Sequence, residues 1–202
     1  WINGDLLVSS TEVLDLDEDL YREGKWVVRL YAEAFSPNSP RWMQGSKELV
    51  QTESEDDIVV GLSEHIRESL VGEDQLIIWG SGGTLRAIGE NNGFELTTLG
   101  IDATMGSEQV GTDLDESGIL SILRSHDGPT TLLLSPMGGQ GFLIGRGNLQ
   151  LSPAVLESIG IDNILGVLTP AKLLTVRKLR IETGDEGLDE RFASMRYMKV
   201  LQ

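Results

Sequence analysis

The residues best suited to chemistry fall in three stretches, each directly after a short apolar run. Gly80, Ser81, Gly82, Gly83 and Thr84 follow Gln75–Trp79 and open an amphipathic segment. Glycine lets backbone N–H groups come close to a ligand, and the first amides of a helix lack intrahelical acceptors. This order of residue types therefore suits a phosphate or another anion. Ser81 and Thr84 add hydroxyls, and Arg86 lies in the first turn. The plainer reading is a strand-to-helix turn that needs glycine for steric reasons alone. The second stretch, Ser135–Asn148, holds five glycines. Gly138, Gly139 and Gly141 permit close backbone approach, and Gln140, Arg146 and Asn148 are its polar groups. Arg146, between Gly145 and Gly147, can grip a phosphate or carboxylate through two N–H groups. The plainer reading here is a surface loop with Arg146 in an ion pair. In the third stretch, Leu168–Arg180, Thr169 and Lys172 follow an apolar run and Pro170 opens a short helix. Lys172 suits a phosphate as well as it suits solvent.

Acids and bases are few near these stretches. Asp102 is the candidate catalytic residue: it can act as a base or hold a ribose hydroxyl, a metal or a water, although an aspartate at such a position more commonly caps a loop. Asp113 or Asp115 caps the helix that follows. His65, inside a helical pattern, and His126, at a helix end, read as structural. With two histidines and no cysteine, a thiolate or histidine-rich metal site is excluded, while magnesium on Asp or Glu stays open and its ligands unassigned. Neither a GxxxxGK[ST] loop nor a Ser-His-Asp spacing occurs.

Composition narrows the partners. The 202 residues carry 32 acidic and 16 basic side chains, a formal net charge of −16. Such a surface repels nucleic acid and anionic lipid, so an anionic ligand must be held by local features. The acidity fits either an ordinary acidic protein or adaptation to salt. No apolar run reaches the ~20 residues of a membrane helix, and no signal peptide is visible, which points to the cytoplasm. The chain begins with Trp1 rather than Met, which predicts a fragment with an upstream domain.

The elements that must position these residues read as two regions. Residues 1–50 form a small β segment, with strands at Thr11–Asp17 and Lys25–Phe35, a Pro/Ser loop over Ser36–Ser46, and three of the four tryptophans. From residue 51 to 202, helical patterns alternate with short apolar runs. Helices are expected over Asp56–Val71, from Gly83, over Asp113–Ser125 and over Ser152–Gly160, the last with Ser152 as N-cap and Pro153 at the first helical position. Strands are expected at Gln75–Gly80, Leu96–Asp102, Thr130–Ser135, Asn163–Thr169, Lys178–Thr183 and Arg196–Leu201. Runs apolar on both faces predict an α/β three-layer sandwich with a mostly parallel, Rossmann-like sheet of five or six strands. Ligands of such sheets bind beyond the carboxyl ends of the strands, where all three stretches lie.

Taken in order, "GSGGTLRAIG", "TLGIDA", "SPMGGQGFLIGRGNLQLSP", "TPAKL" and "ETGDEGLD" resemble the carboxy-terminal half of the ATP-NAD kinase-like proteins, the predicted inorganic polyphosphate/ATP-NAD kinases. "YREGKWVVRLYAEAF" and "RWMQGSKE" resemble that family's central region, so the likeness covers nearly the whole chain. It implies ATP or polyphosphate as phosphate donor, magnesium, and NAD as a substrate. The family's hallmark Gly-Gly-Asp-Gly-Thr motif belongs to an amino-terminal α/β domain and does not occur here; "GSGGT" lacks the aspartate. The layout is also similar to the sugar-phosphate isomerase and deaminase fold, although Gln140, Gly141 and Phe142 stand where those deaminases place acidic and histidine residues. Three functions follow. In the first, the domain supplies part of the nucleotide pocket of a kinase completed by the upstream domain. In the second, it is a regulatory domain that senses a sugar phosphate or nucleotide. In the third, it mainly builds an oligomer, such as a homodimer.

Overall fold

The computed structural model describes residues 7–22, 28–38, 55–136, 141–145, 147–176, 178–195 and 197–201. The chain falls into two compact units, Trp1–Val50 and Gln51–Gln202. In the first, β1 (Leu7–Leu16) and β2 (Val28–Asn38) pair antiparallel, with a bulge at Val13/Leu14, and α1 (Glu18–Arg22) lies between them in sequence. The second strand runs through Ser36–Asn38, the start of the expected Pro/Ser loop; the rest of that loop lies outside the described residues.

The second unit is an α/β sandwich. Its strands are β3 (Leu76–Trp79), β4 (Asp102–Met105), β5 (Glu108–Gly111), β6 (Thr130–Leu134), β7 (Phe142–Ile144), β8 (Ile164–Val167), β9 (Arg180–Ile181) and β10 (Val200–Leu201). Its helices are α2 (Glu55–Ser69), α3 (Gly83–Asn91), α4 (Glu116–Ser125), α5 (Pro153–Ile159), α6 (Pro170–Thr175) and α7 (Glu186–Ser194). Six strands form the main sheet in the order β10-β8-β6-β3-β4-β5. β10, β8, β6 and β3 run parallel, whereas β4 is antiparallel to both β3 and β5.

Successive side chains of the central strands feed opposite faces, as the period of two requires. Leu76, Ile78, Leu132 and Leu134 pack with Ile119 of α4, Val155 and Leu156 of α5, and Leu188 of α7. Ile77, Trp79 and Leu133 pack with Leu62 and Ile66 of α2 and Leu85 and Ile88 of α3. Burial on both faces explains the continuous apolar runs LIIW and TLLL. Trp79 Nε1 donates to Thr104 Oγ1 at 2.9 Å, which satisfies the one polar atom of this buried ring.

Four expected elements differ, one of them the strand expected over Arg196–Leu201, which is described as a strand only at Val200–Leu201. The strand expected over Leu96–Asp102 begins only at Asp102, because the Thr97 amide is claimed by the Asp102 side chain and the Thr98 carbonyl accepts from Gly82 instead of a ladder partner. The helix expected from Asp113 starts at Glu116. Asp113 is left-handed (φ 48°), and Asp115 is the N-cap, accepting from Gly118 N at 2.8 Å. The strand expected over Lys178–Thr183 is reduced to Arg180–Ile181 and pairs with β7, apart from the main sheet. The Ser152 cap and Pro153 at the first turn of α5 are as expected.

Candidate functional site

From β3 the chain passes through α3 to β4 on one side; after β5 and α4 it returns to β6 on the other side of β3. The strand order therefore reverses between β3 and β6, the position at whose carboxyl edge open α/β sheets commonly hold their ligands. β8 is the next parallel strand, about 10 Å from β3 across two strand spacings. The loops after β3, β6 and β8 leave this one edge, and they contain Gly80–Gly82, Ser135 and Thr169.

The loop after β3 has two separate reasons for its glycines. Gly80 N donates to Leu133 O at 2.8 Å, and a Cβ at Gly80 would stand 2.7 Å from Leu134 Cδ2 and 2.9 Å from Leu133 O. Here glycine is required by the close approach of β6. Gly82 has φ 128°, open space where a Cβ would be, and no side chain to cap α3. Its N–H donates to Thr98 O at 2.8 Å. The first intrahelical bond is Arg86 N to Gly82 O, so the amides of Gly83, Thr84 and Leu85 precede any intrahelical acceptor. Ser81 is buried, Thr84 half-buried and Gly83 exposed. Arg86 is turned along its own helix, pairing with Glu90 at 2.8 Å and donating to Thr98 Oγ1 at 3.4 Å.

At the ends of β6 and β8, Lys172 Nζ donates to the buried Ser135 Oγ at 2.9 Å. Thr169, also buried, caps α6 by accepting from Lys172 N at 3.4 Å. Burial pushes the Lys172 ammonium below the usual lysine range, partly opposed by the carboxylate of Glu55. The third stretch and the end of the apolar run TTLLLS are thus joined directly.

The second glycine-rich stretch is not one continuous loop. Gly138, Gly139, Gln140 and Arg146 lie outside the described residues. Between them, Phe142–Ile144 is a buried strand. Gly141 (φ 76°) is held by its carbonyl, which accepts from Arg180 N at 2.8 Å, and a Cβ there would collide with Lys178 O. Asn148 faces inward: Nδ2 donates to Leu143 O and Oδ1 accepts from Gly145 N, both at 2.9 Å. Its amide is a staple of the Gly145–Asn148 turn. The run FLI between two glycine groups is the signal in the sequence that a strand interrupts them.

Asp102 pairs with Trp79 in register, at the same sheet edge, but is only 1% exposed. Oδ2 accepts from Thr97 N at 2.6 Å and from Thr97 Oγ1 at 2.9 Å, and Oδ1 accepts from Asp113 N at 2.9 Å. Thr97 and Thr98, which tie this carboxylate to the glycine loop, stand out only in the structure. His126 caps α4 with Nε2 3.2 Å from Pro129 O, and His65 is an exposed residue of α2. Among the described residues, no group of three His, Asp or Glu could hold a metal ion, and no helix is long and apolar enough to cross a membrane.

Fold and strand order together define an open α/β sandwich with a mostly parallel sheet. The ATP-NAD kinase C-terminal domain family matches residues 76–193, from the first residue of β3 to the last turn of α7. The chain belongs to that family. No curated protein and no solved structure shows significant similarity to it.

Proposed function

We propose that this domain binds a nucleotide or phosphorylated small molecule at the carboxyl ends of β3 and β6. There it supplies part of the nucleotide pocket of a kinase that phosphorylates NAD, or a related small molecule, with ATP or polyphosphate. Family membership supports the kinase class. The observation that carries the binding reading is Lys172, partly withdrawn from water and set on Ser135 at the strand edge that also bears Gly80–Thr84. An anion beside Lys172 restores the favourable environment that burial removes. Gly83, Thr84 and Leu85 offer amides for the same anion, and Gly138, Gly139, Gln140 and Arg146 are proposed to close over it. Phosphoryl transfer demands chiefly positioning and charge neutralisation. Magnesium would be brought chiefly by the phosphates of the ligand, since it is commonly held by one or two carboxylates, water and phosphate oxygens.

The regulatory alternative has an observation of its own. Both oxygens of Asp102 are engaged in hydrogen bonds within the fold. An aspartate committed to the fold in this way leaves the edge suited to holding an anion, which fits a sensor of a sugar phosphate or nucleotide.

A thermal-shift series in phosphate-free buffer tests both, with ATP, NAD, NADP, polyphosphate and sugar phosphates, with and without magnesium. A ligand that binds the native state raises the melting temperature by mass action, by about 2.7 kcal/mol of stability at a hundred times Kd. A selective rise with ATP or NAD is the expected result. Lys172→Met and Arg146→Ala should each weaken that ligand about tenfold, the scale of one charge-assisted hydrogen bond, with the unliganded melting temperature preserved. A rise with sugar phosphate alone favours the sensor. No rise with any ligand overturns the binding reading.

A further inference from the structure

Asp102 is a carboxylate withdrawn almost wholly from water, 1% exposed. We propose that it is a positioning residue for the anion edge: through Thr97 and Thr98 it holds Gly82 and the opening turn of α3 in one conformation. The proposal rests on the reading of that edge as an anion site. A buried carboxylate is tolerated only when its lone pairs are occupied, and three donors, Thr97 N, Thr97 Oγ1 and Asp113 N, occupy these. Two of the three come from Thr97, so the carboxylate fixes both the backbone and the side chain of that residue. Its neighbour Thr98 then meets α3 twice, through its carbonyl to Gly82 N–H at 2.8 Å and through its hydroxyl to Arg86 at 3.4 Å.

Gly82 is where such a brace matters. It is a glycine with φ 128°, it has nothing within 4 Å of its missing Cβ, and it caps α3 without a side chain. No side chain of its own anchors it, and glycine is the residue with the most conformations to choose from. Its amide is held by the Thr98 carbonyl. The other arm, Asp113 N, is backed by Leu114 N donating to Ile101 O at 2.7 Å. That bond survives loss of the carboxylate, which keeps the predicted effect local to Thr97–Gly82.

The test uses the 202-residue chain as wild type, Asp102→Asn and Thr97→Val. Amide hydrogen exchange of Gly82, read by NMR, is combined with calorimetric titration of ATP. In Asp102→Asn, exchange at Gly82 should rise about tenfold and ATP affinity should fall about tenfold, while Ile78 and Leu133 keep their protection. Thr97→Val keeps the Thr97 N–H bond and should shift both quantities in the same direction by less; it carries the test if Asp102→Asn does not fold. A general structural role would speed exchange at Ile78, Leu133 and Gly82 alike, and that result overturns the proposal. So does unchanged Gly82 exchange, or faster exchange with unchanged ATP affinity. A wild type that binds no ATP overturns the nucleotide reading instead, and Gly82 exchange alone then upholds or overturns the brace.

Discussion

Lys172 and Asn148 look equally eligible as ligand groups in the sequence, yet they are spent differently. Asn148 uses both ends of its amide on backbone within five residues of itself. Asn148→Ala leaves the buried Leu143 O and the half-buried Gly145 N–H without this partner and should cost about 2 kcal/mol in urea unfolding; a loss below about 0.5 kcal/mol, the level of an ordinary surface change, would contradict the staple. Lys172 instead sets its ammonium on Ser135 at the end of β6, and its pH behaviour has a definite sign. Burial lowers its pKa in the fold below the ordinary 10.5. Between the lowered value and 10.5 the unfolded chain binds more protons, so this group's contribution to stability rises as pH climbs through that window. A phosphate beside Lys172 raises its pKa again, so binding takes up a proton in the same window and ATP affinity falls as pH rises through it. Titration calorimetry in two buffers of different ionisation enthalpy measures that uptake. Its absence, or its persistence in Lys172→Met, would remove Lys172 from the anion's contacts.

The elements explain why glycines cluster at this edge without all serving a ligand. Gly80 is demanded by the sheet itself, because its neighbour is the backbone oxygen of Leu133, which cannot move without breaking β3–β6 pairing. Gly80→Ala should therefore destabilise the domain by about 2 kcal/mol or more whether or not a ligand is present. An unchanged denaturation midpoint would show that the two strands can separate freely. Gly141 has the same kind of reason, a left-handed backbone pressed against Lys178. Gly82 is different, since nothing nearby excludes a side chain and only its backbone angle requires glycine. Of these three, Gly82 is the one held by hydrogen bonds rather than by steric contact at its missing side chain.

For the whole molecule the dominant fact is a net charge of −16 on 202 residues. Like charges repel in the compact state, and salt shortens the reach of that repulsion from about 10 Å at 0.1 M to about 3 Å at 1 M. The melting temperature should therefore rise with potassium chloride over that range. A flat or falling curve would mean that the acidic side chains are arranged to avoid one another and would argue against salt adaptation. The same charge predicts that an anionic ligand reaches the strand edge only through local features, so binding should weaken less with salt than a basic site's would.

Much of this was decided within the chain's own neighbourhoods. Apolar runs read both faces of β3, β6 and β8, Ser152-Pro153 read the start of α5, and the motif order from GSGGT to ETGDEGLD read the family. These are local signals: periodicity, a capping hydroxyl, a fixed proline φ, a string of residues. What only the tertiary structure decided depends on residues distant in sequence. Nothing near Lys172 shows that its ammonium lies on Ser135, 37 positions away. Nothing near Asp102 shows that its carboxylate would claim Thr97 and end the strand expected through Leu96, and nothing near Asn148 shows that its amide would turn inward. Side-chain chemistry says which bonds a residue can make. Which it does make is settled by what the fold brings within 3 Å, because a buried polar group must take the partner that is there.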